Sequence, residues 1–161
     1  MSLAATPEPR DPMKTVTAAI RIDATPMAIW AVLTDLSRYP EWNPLIRAAT
    51  GEIAVGKRVT MRAVQPGGRL MTIRPRILVA EPGAELRWIA SLPGIIGGEH
   101  SFVLRPSGDG SSDTGTELVQ SETYRGLLVP VAGRILAGNE AGFGKLNEAI
   151  RNRAEGRPEP E

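Results

Sequence analysis

His100 is the only histidine in the chain. It lies in "GEHSFVLR", and two further polar residues, Gln120 and Glu122, interrupt the apolar pattern of "TELVQSETY". Side chains alternate across a strand, so if Phe102 and Leu104 face the interior, His100 does too. By the same rule Leu118 and Tyr124 carry Gln120 and Glu122 to the inner face. Two registers are open to this hairpin. Leu104 opposite Leu118 sets Phe102 against Gln120 and His100 against Glu122; a slip of two residues sets His100 against Gln120. Either way the imidazole lies beside an amide or a carboxylate on an apolar surface. A buried carboxylate must find a partner or take up a proton. An imidazole–carboxylate pair in a dry cavity can move protons, which makes His100 and Glu122 the candidate catalytic residues. The same groups can instead orient a ligand, or form a satisfied structural network.

Other chemistries have less support. With no cysteine there is no disulfide, thiolate nucleophile or Cys-ligated metal. One histidine, with Glu99 alternating to the opposite face, argues against a metal site; no cofactor is implied. No Ser/His/Asp triad is readable, because the serines fall mainly in turns. "GIIGG", Gly94–Gly98, is followed by no helix and so is a poor phosphate cradle. It reads better as a mobile hairpin tip at a cavity mouth, with Leu92, Ile95 and Ile96 as lid residues. Nineteen basic against eighteen acidic residues give a net charge of +1, with no basic stripe evident, which disfavours a nucleic-acid partner. The N-terminus "MSLAATPEPRDP" has no apolar signal-peptide core, and no apolar run approaches the roughly 20 residues of a membrane span. The expectation is a cytoplasmic protein without stable membrane insertion. "GLLVPVAGRIL" carries too little charge to suit a membrane surface. Nothing in the sequence sets an oligomeric state.

These residues need a framework. A chain of 161 residues is expected to form one domain over residues 13–154, between loose tails at 1–12 and 155–161. "KTVTAAIRID" reads as a half-buried strand. "ATPMAIWAVLTD" follows as a short helix, with Thr25 as N-cap, Pro26 at its first position and Ile29, Trp30 and Leu33 as its stripe. In "YPEWNP", Trp42 is placed to plug the core between two prolines that fix the chain direction, with Asn43 bonding the turn. That corner reads mainly as scaffolding, with a ligand contact from Tyr39 or Trp42 as the lesser alternative. "PLIRAATG", "KRVTMRAV", "LMTIRPRILVA", "ELRWIASL", "GEHSFVLR" and "TELVQSETY" complete seven strands. Pro75 requires a bulge or an edge in the third of these. "QPGG", "EPGA" and "PSGDGSSDTG" are turns, so neighbouring strands are expected to pair antiparallel. Ala132, Leu136, Phe143, Leu146 and Ile150 recur at helical spacing, giving one long helix over about Pro130–Ala154. Its Gly133, Gly138, Gly142 and Gly144 suggest close backbone packing or a bend.

The order is α+β, with the long helix on one face of a curved antiparallel sheet. On "IDATPMAIWAVLTDLSRYPEWNP", "GEHSFVL", "GTELVQSETYRGLL" and the closing helix, the chain resembles the START-related helix-grip (SRPBCC) superfamily, in the polyketide cyclase/dehydrase-like branch. The likeness runs from about Lys14 to Ala154. It implies a hydrophobic cavity between sheet and helix, but no single function. The expected ligand is a small lipid- or polyketide-like molecule, bound for carriage or sensing. Its contacts would come from Trp88, Phe102, Leu104, Leu118, Tyr124, Phe143 and Leu146, with His100, Gln120 and Glu122 as polar handles. The alternative is a cyclase- or dehydratase-type enzyme using Glu122 and His100. A third is a structural or partner-binding role, with side chains filling the cavity.

Overall fold

The computed structural model describes residues 13–65, 67–92, 96–108, 115–126, 129 and 133–158. In chain order the elements are β1 (Met13–Ile22), α1 (Pro26–Thr34), a 3-10 turn (Leu36–Arg38), α2 (Tyr39–Trp42), β2 (Ile46–Thr50) and β3 (Thr60–Val64). Then follow β4 (Leu70–Ile73), β5 (Arg76–Glu81), β6 (Glu85–Leu92), β7 (Ile96–Pro106), β8 (Thr116–Arg125) and α3 (Gly133–Glu155). Five strands form one antiparallel sheet in the order β1-β8-β7-β6-β5, and three form another, β2-β3-β4.

Seven strands were expected, and eight occur among the described residues, in two sheets. The difference is made at Pro75. The strand expected over "LMTIRPRILVA" is two strands, because a residue with no N–H cannot continue a ladder. β4 ends before Arg74 and pairs with β3, while β5 begins after Pro75 and pairs with β6. The break is stitched from outside: Val59 N donates to the Pro75 carbonyl at 3.1 Å, Ile77 N to Lys57 O at 2.9 Å and Gly56 N to Ile77 O at 2.9 Å. These bonds tie the segment ahead of β3 to the start of β5, so one sheet leads into the other. The QPGG turn between β3 and β4 rests on Gly67 and Gly68, whose φ values of 90° and 82° a side chain would resist.

The first helix forms as its sequence directs. Thr25 Oγ1 accepts from Ala28 N at 3.2 Å, and Ile29 and Leu33 are buried. At the corner that follows, the Tyr39 hydroxyl donates to Leu33 O at 2.6 Å and its ring meets Trp42 edge-on at 5.1 Å. Burial raises the Tyr39 hydroxyl's pKa far above the ordinary tyrosine range. Asn43 Oδ1 accepts from both Leu45 N and Ile46 N at 2.9 Å, turning the chain into β2. The aromatic corner holds the core together, and its inner side also reaches the cavity described below.

In α3, Phe143, Leu146 and Ile150 form the buried stripe. The helix is described from Gly133, the expected start at Pro130 lying outside the described residues, and it extends to Glu155, which the sequence assigned to a loose tail. Glu155 instead accepts from Asp23 N at 2.8 Å and docks the last turn beside the end of β1. A Cβ on Gly142 would lie 3.4 Å from Leu45, in contact, whereas Gly144 faces open space. A Cβ would therefore fit at both positions, and neither glycine is required by a close backbone approach. The surroundings of Gly133 and Gly138, the side chain of Leu136, and Ala132 lie outside the described residues. So do residues 1–12 and, of the tip expected at Gly94–Gly98, Gly94 and Ile95, with the lid side chains Leu92 and Ile96; Gly97 and Gly98 are paired within β7.

Candidate functional site

Strand pairing decides what the inner face presents. β7 and β8 adopt the first of the two registers: Leu104 faces Leu118, Phe102 faces Gln120, and His100 faces Glu122. Alternation then aligns Gln120, Glu122 and Tyr124 along the inner face of β8. His100 lies between the first two. Gln120 Nε2 is 3.1 Å from His100 Nε2, His100 Nδ1 is 3.5 Å from Glu122 Oε2, and the Tyr124 hydroxyl donates to that same oxygen at 2.6 Å. If the Gln120 amide donates to Nε2, the imidazole's proton lies on Nδ1, facing Glu122. Gln120 Oε1 is buried with no hydrogen-bond partner. Turning the amide would offer that oxygen to an Nε2–H, so the residue can serve either state of the ring.

The imidazole is also sandwiched. Trp88, directly across from His100 on β6, stacks on it at 5.1 Å with planes 10° apart, and Phe143 of α3 meets its edge at 5.2 Å. Glu122 has space for its carboxylate because residue 98 is glycine: a Cβ there would come within 2.7 Å of Oε1. Burial pushes the Glu122 pKa up, but the hydrogen bond and charge of His100 and the Tyr124 hydroxyl outweigh it, leaving it below the usual carboxylate range. Glu99 points outward, as alternation requires, and pairs with Arg87 at 3.3 Å.

This network borders a cavity of about 910 Å³. Of the residues expected at a ligand site, Trp88, His100, Phe102, Glu122, Tyr124, Phe143 and Leu146 line it. Leu104, Leu118 and Gln120 are not on its wall: the two leucines belong to the packed core, and Gln120 lies behind His100 with no exposed surface. Strand alternation placed all three on the correct face but could not say where the core ends and the hollow begins. Among the described residues, no three potential metal ligands come together, and no helix is long and apolar enough to cross a membrane.

Sequence reasoning missed the opposite wall. Met61, Ala63 and Ile73 of the smaller sheet line the cavity, as do Arg58, Arg74 and, on α3, Lys145. A signal was present. Residues 46–76 contain seven Lys or Arg and one acid, Glu52, in a chain whose net charge is +1. The overall balance concealed a segregated one.

The five-stranded sheet, the C-terminal helix and the hollow between them define a protein of helix-grip architecture. Residues 13–155 match the family described as polyketide cyclase / dehydrase and lipid transport, and the chain belongs to it. No curated protein matches it significantly. Among solved structures, protein MLL2253 from Mesorhizobium loti is similar, with 23% identity and a TM-score of 0.71 over 90% of this chain and 99% of that one. A START superfamily protein from Mycobacterium smegmatis shares 16% identity, with a TM-score of 0.68 over 88% of this chain and 97% of that one. The di-domain ARO/CYC StfQ from the steffimycin biosynthetic pathway is 16% identical, with a TM-score of 0.70 over 89% of this chain and 52% of its own length. At these identities the likeness is one of fold.

Proposed function

We propose that this protein binds a small hydrophobic molecule, lipid- or polyketide-like, in the cavity between the sheets and α3, as a carrier or sensor. The observation that carries this reading is the cavity itself. Its 910 Å³ is in the upper part of the range for small-molecule sites, and its wall joins Trp88, Phe102, Phe143 and Leu146 to a few convergent polar groups. Apolar walls supply affinity by leaving water, and His100 and Glu122 supply orientation. The family description supports the same class of ligand.

Native mass spectrometry of the protein purified from cells, together with Nile red titration, tests this. A co-purified adduct or saturable dye binding is expected, and Leu146→Trp should weaken the dye by filling the space. A bare protein mass with no dye uptake would overturn the reading.

A second reading is favoured by one specific observation. An ionised Glu122, bonded to Tyr124 and 3.5 Å from His100, faces a largely apolar space. Such a carboxylate can accept a proton from a carbon acid while an adjacent imidazolium donates to a leaving hydroxyl, as a cyclase or dehydratase requires. A cyclase among the structural neighbours suits that reading. Turnover of a polyketide-like substrate that is lost in His100→Ala, with dye binding retained, would distinguish the enzyme from the carrier.

A further inference from the structure

The charges around the cavity are unevenly compensated. Outside residues 46–76 the arginines are largely paired: Arg38 with Glu41, Arg87 with Glu85 and Glu99, Arg105 with Glu117, and Arg151 with Glu148. Arg58, Arg74 and Lys145 form no ion pair among the described residues. Glu52, the one acid of residues 46–76, is drawn to Lys57 at 3.9 Å, and Glu148, three residues from Lys145, pairs with Arg151. All three cations are solvent-exposed yet border the cavity, which places them where it opens. Arg58 Nη1 donates to the Arg74 carbonyl at 2.9 Å, which holds its guanidinium at the break between β4 and β5.

We propose that the ligand is an amphiphile with an anionic headgroup, a carboxylate or a phosphate, held at the cavity opening by Arg58, Arg74 and Lys145 while its apolar body lies inside. This rests on the apolar-ligand reading above and specifies its chemistry. Guanidinium forks match the oxygens of either headgroup in two-pronged bonds. Positive charge at a mouth with apolar walls also concentrates anions there. The inner wall enforces the same direction: Glu122 would repel an anion entering head-first, whereas a hydrocarbon end meets Trp88 and Phe143. The cavity is thus polar in the electrical sense, with cations outside and a carboxylate within. An uncharged molecule of the same shape would gain nothing from that arrangement.

The full chain is titrated calorimetrically with oleate, 1-oleoyl lysophosphatidate and oleyl alcohol, each below its aggregation limit. At least one anion is expected to bind about tenfold more tightly than the alcohol at low salt, with the gap shrinking as salt rises. Comparing oleate with the lysophosphatidate tells which headgroup is preferred. The double variant R74Q/K145Q alters two side chains with no hydrogen-bonded partner among the described residues, so it should fold. It should close the gap while leaving alcohol binding unchanged. Arg62 is exposed between the buried Met61 and Ala63 and so points away from the cavity; R62Q should keep the gap. Equal binding of all three probes, or a gap that survives in R74Q/K145Q, would overturn the headgroup proposal while leaving the apolar cavity in place. Failure of every probe, with Nile red also excluded, would remove both.

Discussion

The two sheets obey one alternation rule and meet different fates. In the five-stranded sheet, strands of up to eleven residues put Leu86, Phe102, Leu104 and Leu118 under full cover. Their outer faces are polar, with Thr15 bonded to Thr123 and Thr17 to Ser121. In the three-stranded sheet, β4 has four residues, three of them exposed, and Leu70 and Met71 remain 42% and 39% accessible. The cause is the covering layer. Among the described residues α3 packs, of the strands, chiefly against β1, and β4 packs chiefly against its neighbour β3. The difference teaches that a periodic strand predicts a direction for each side chain, while a second layer must exist before that direction means burial. Where the layer is missing, the same pattern builds a cavity wall.

The comparison breaks most readily on stability. Leu118 has no exposed surface, and Leu118→Ala is expected to cost about 2–5 kcal/mol in urea unfolding. Met71→Ala, at the rim, should stay within about 0.5 kcal/mol. Equal costs would mean that β4 is as well covered as β8, and the cavity smaller than described. Next in size is Gly98→Ala. Its new Cβ would meet Glu122 Oε1 at 2.7 Å and force the carboxylate from Tyr124, at a cost of about 1–3 kcal/mol. The carboxylate is the obstacle, so the cost should shrink when the same change is made in Glu122→Ala. An unchanged cost would place the strain in the strand itself.

Much of this architecture could be read from local pattern. Thr25 with Pro26, the alternation of β7 and β8, and the stripe of Phe143, Leu146 and Ile150 each encode geometry within a few residues. So the polar network emerged as expected, in one of the two registers allowed. What escaped depends on long-range arrangement. Pro75 announced an irregularity, but whether a strand bulges or passes to another sheet depends on which backbone groups wait nearby, here those of Lys57 and Val59. Gly98 looked like part of a loose tip, and only the paired strand shows that its missing side chain makes room for Glu122. The cations of the smaller sheet were visible one by one. A near-zero net charge hid their clustering, and only the fold brings Arg58 and Arg74 to the wall of the same cavity as Lys145.

The finest test sets two carboxylates against each other. Glu122 on β8 and Glu41 on α2 both titrate below their ordinary value of 4.5. Glu41 owes this first to its hydrogen bond with Arg38, then to Arg153 at 2.7 Å, in a solvent-exposed position. A carboxylate whose folded pKa is depressed stabilises the protein fully above its unfolded pKa. That contribution is lost as pH falls through about 4.5 toward the folded value. Urea unfolding followed from about pH 6 down to pH 3 should therefore fall less steeply in Glu122→Gln than in the parent. Glu41→Gln should flatten the curve only slightly, because water screens an exposed pair. Salt separates the two: at about 0.5 M the Glu41 effect should vanish, while that of Glu122, whose side chain is 19% exposed, persists. If both respond to salt alike, the inner wall is as wet as the surface. The contrast between a closed sheet and an open one would then have to be redrawn around a flooded cavity.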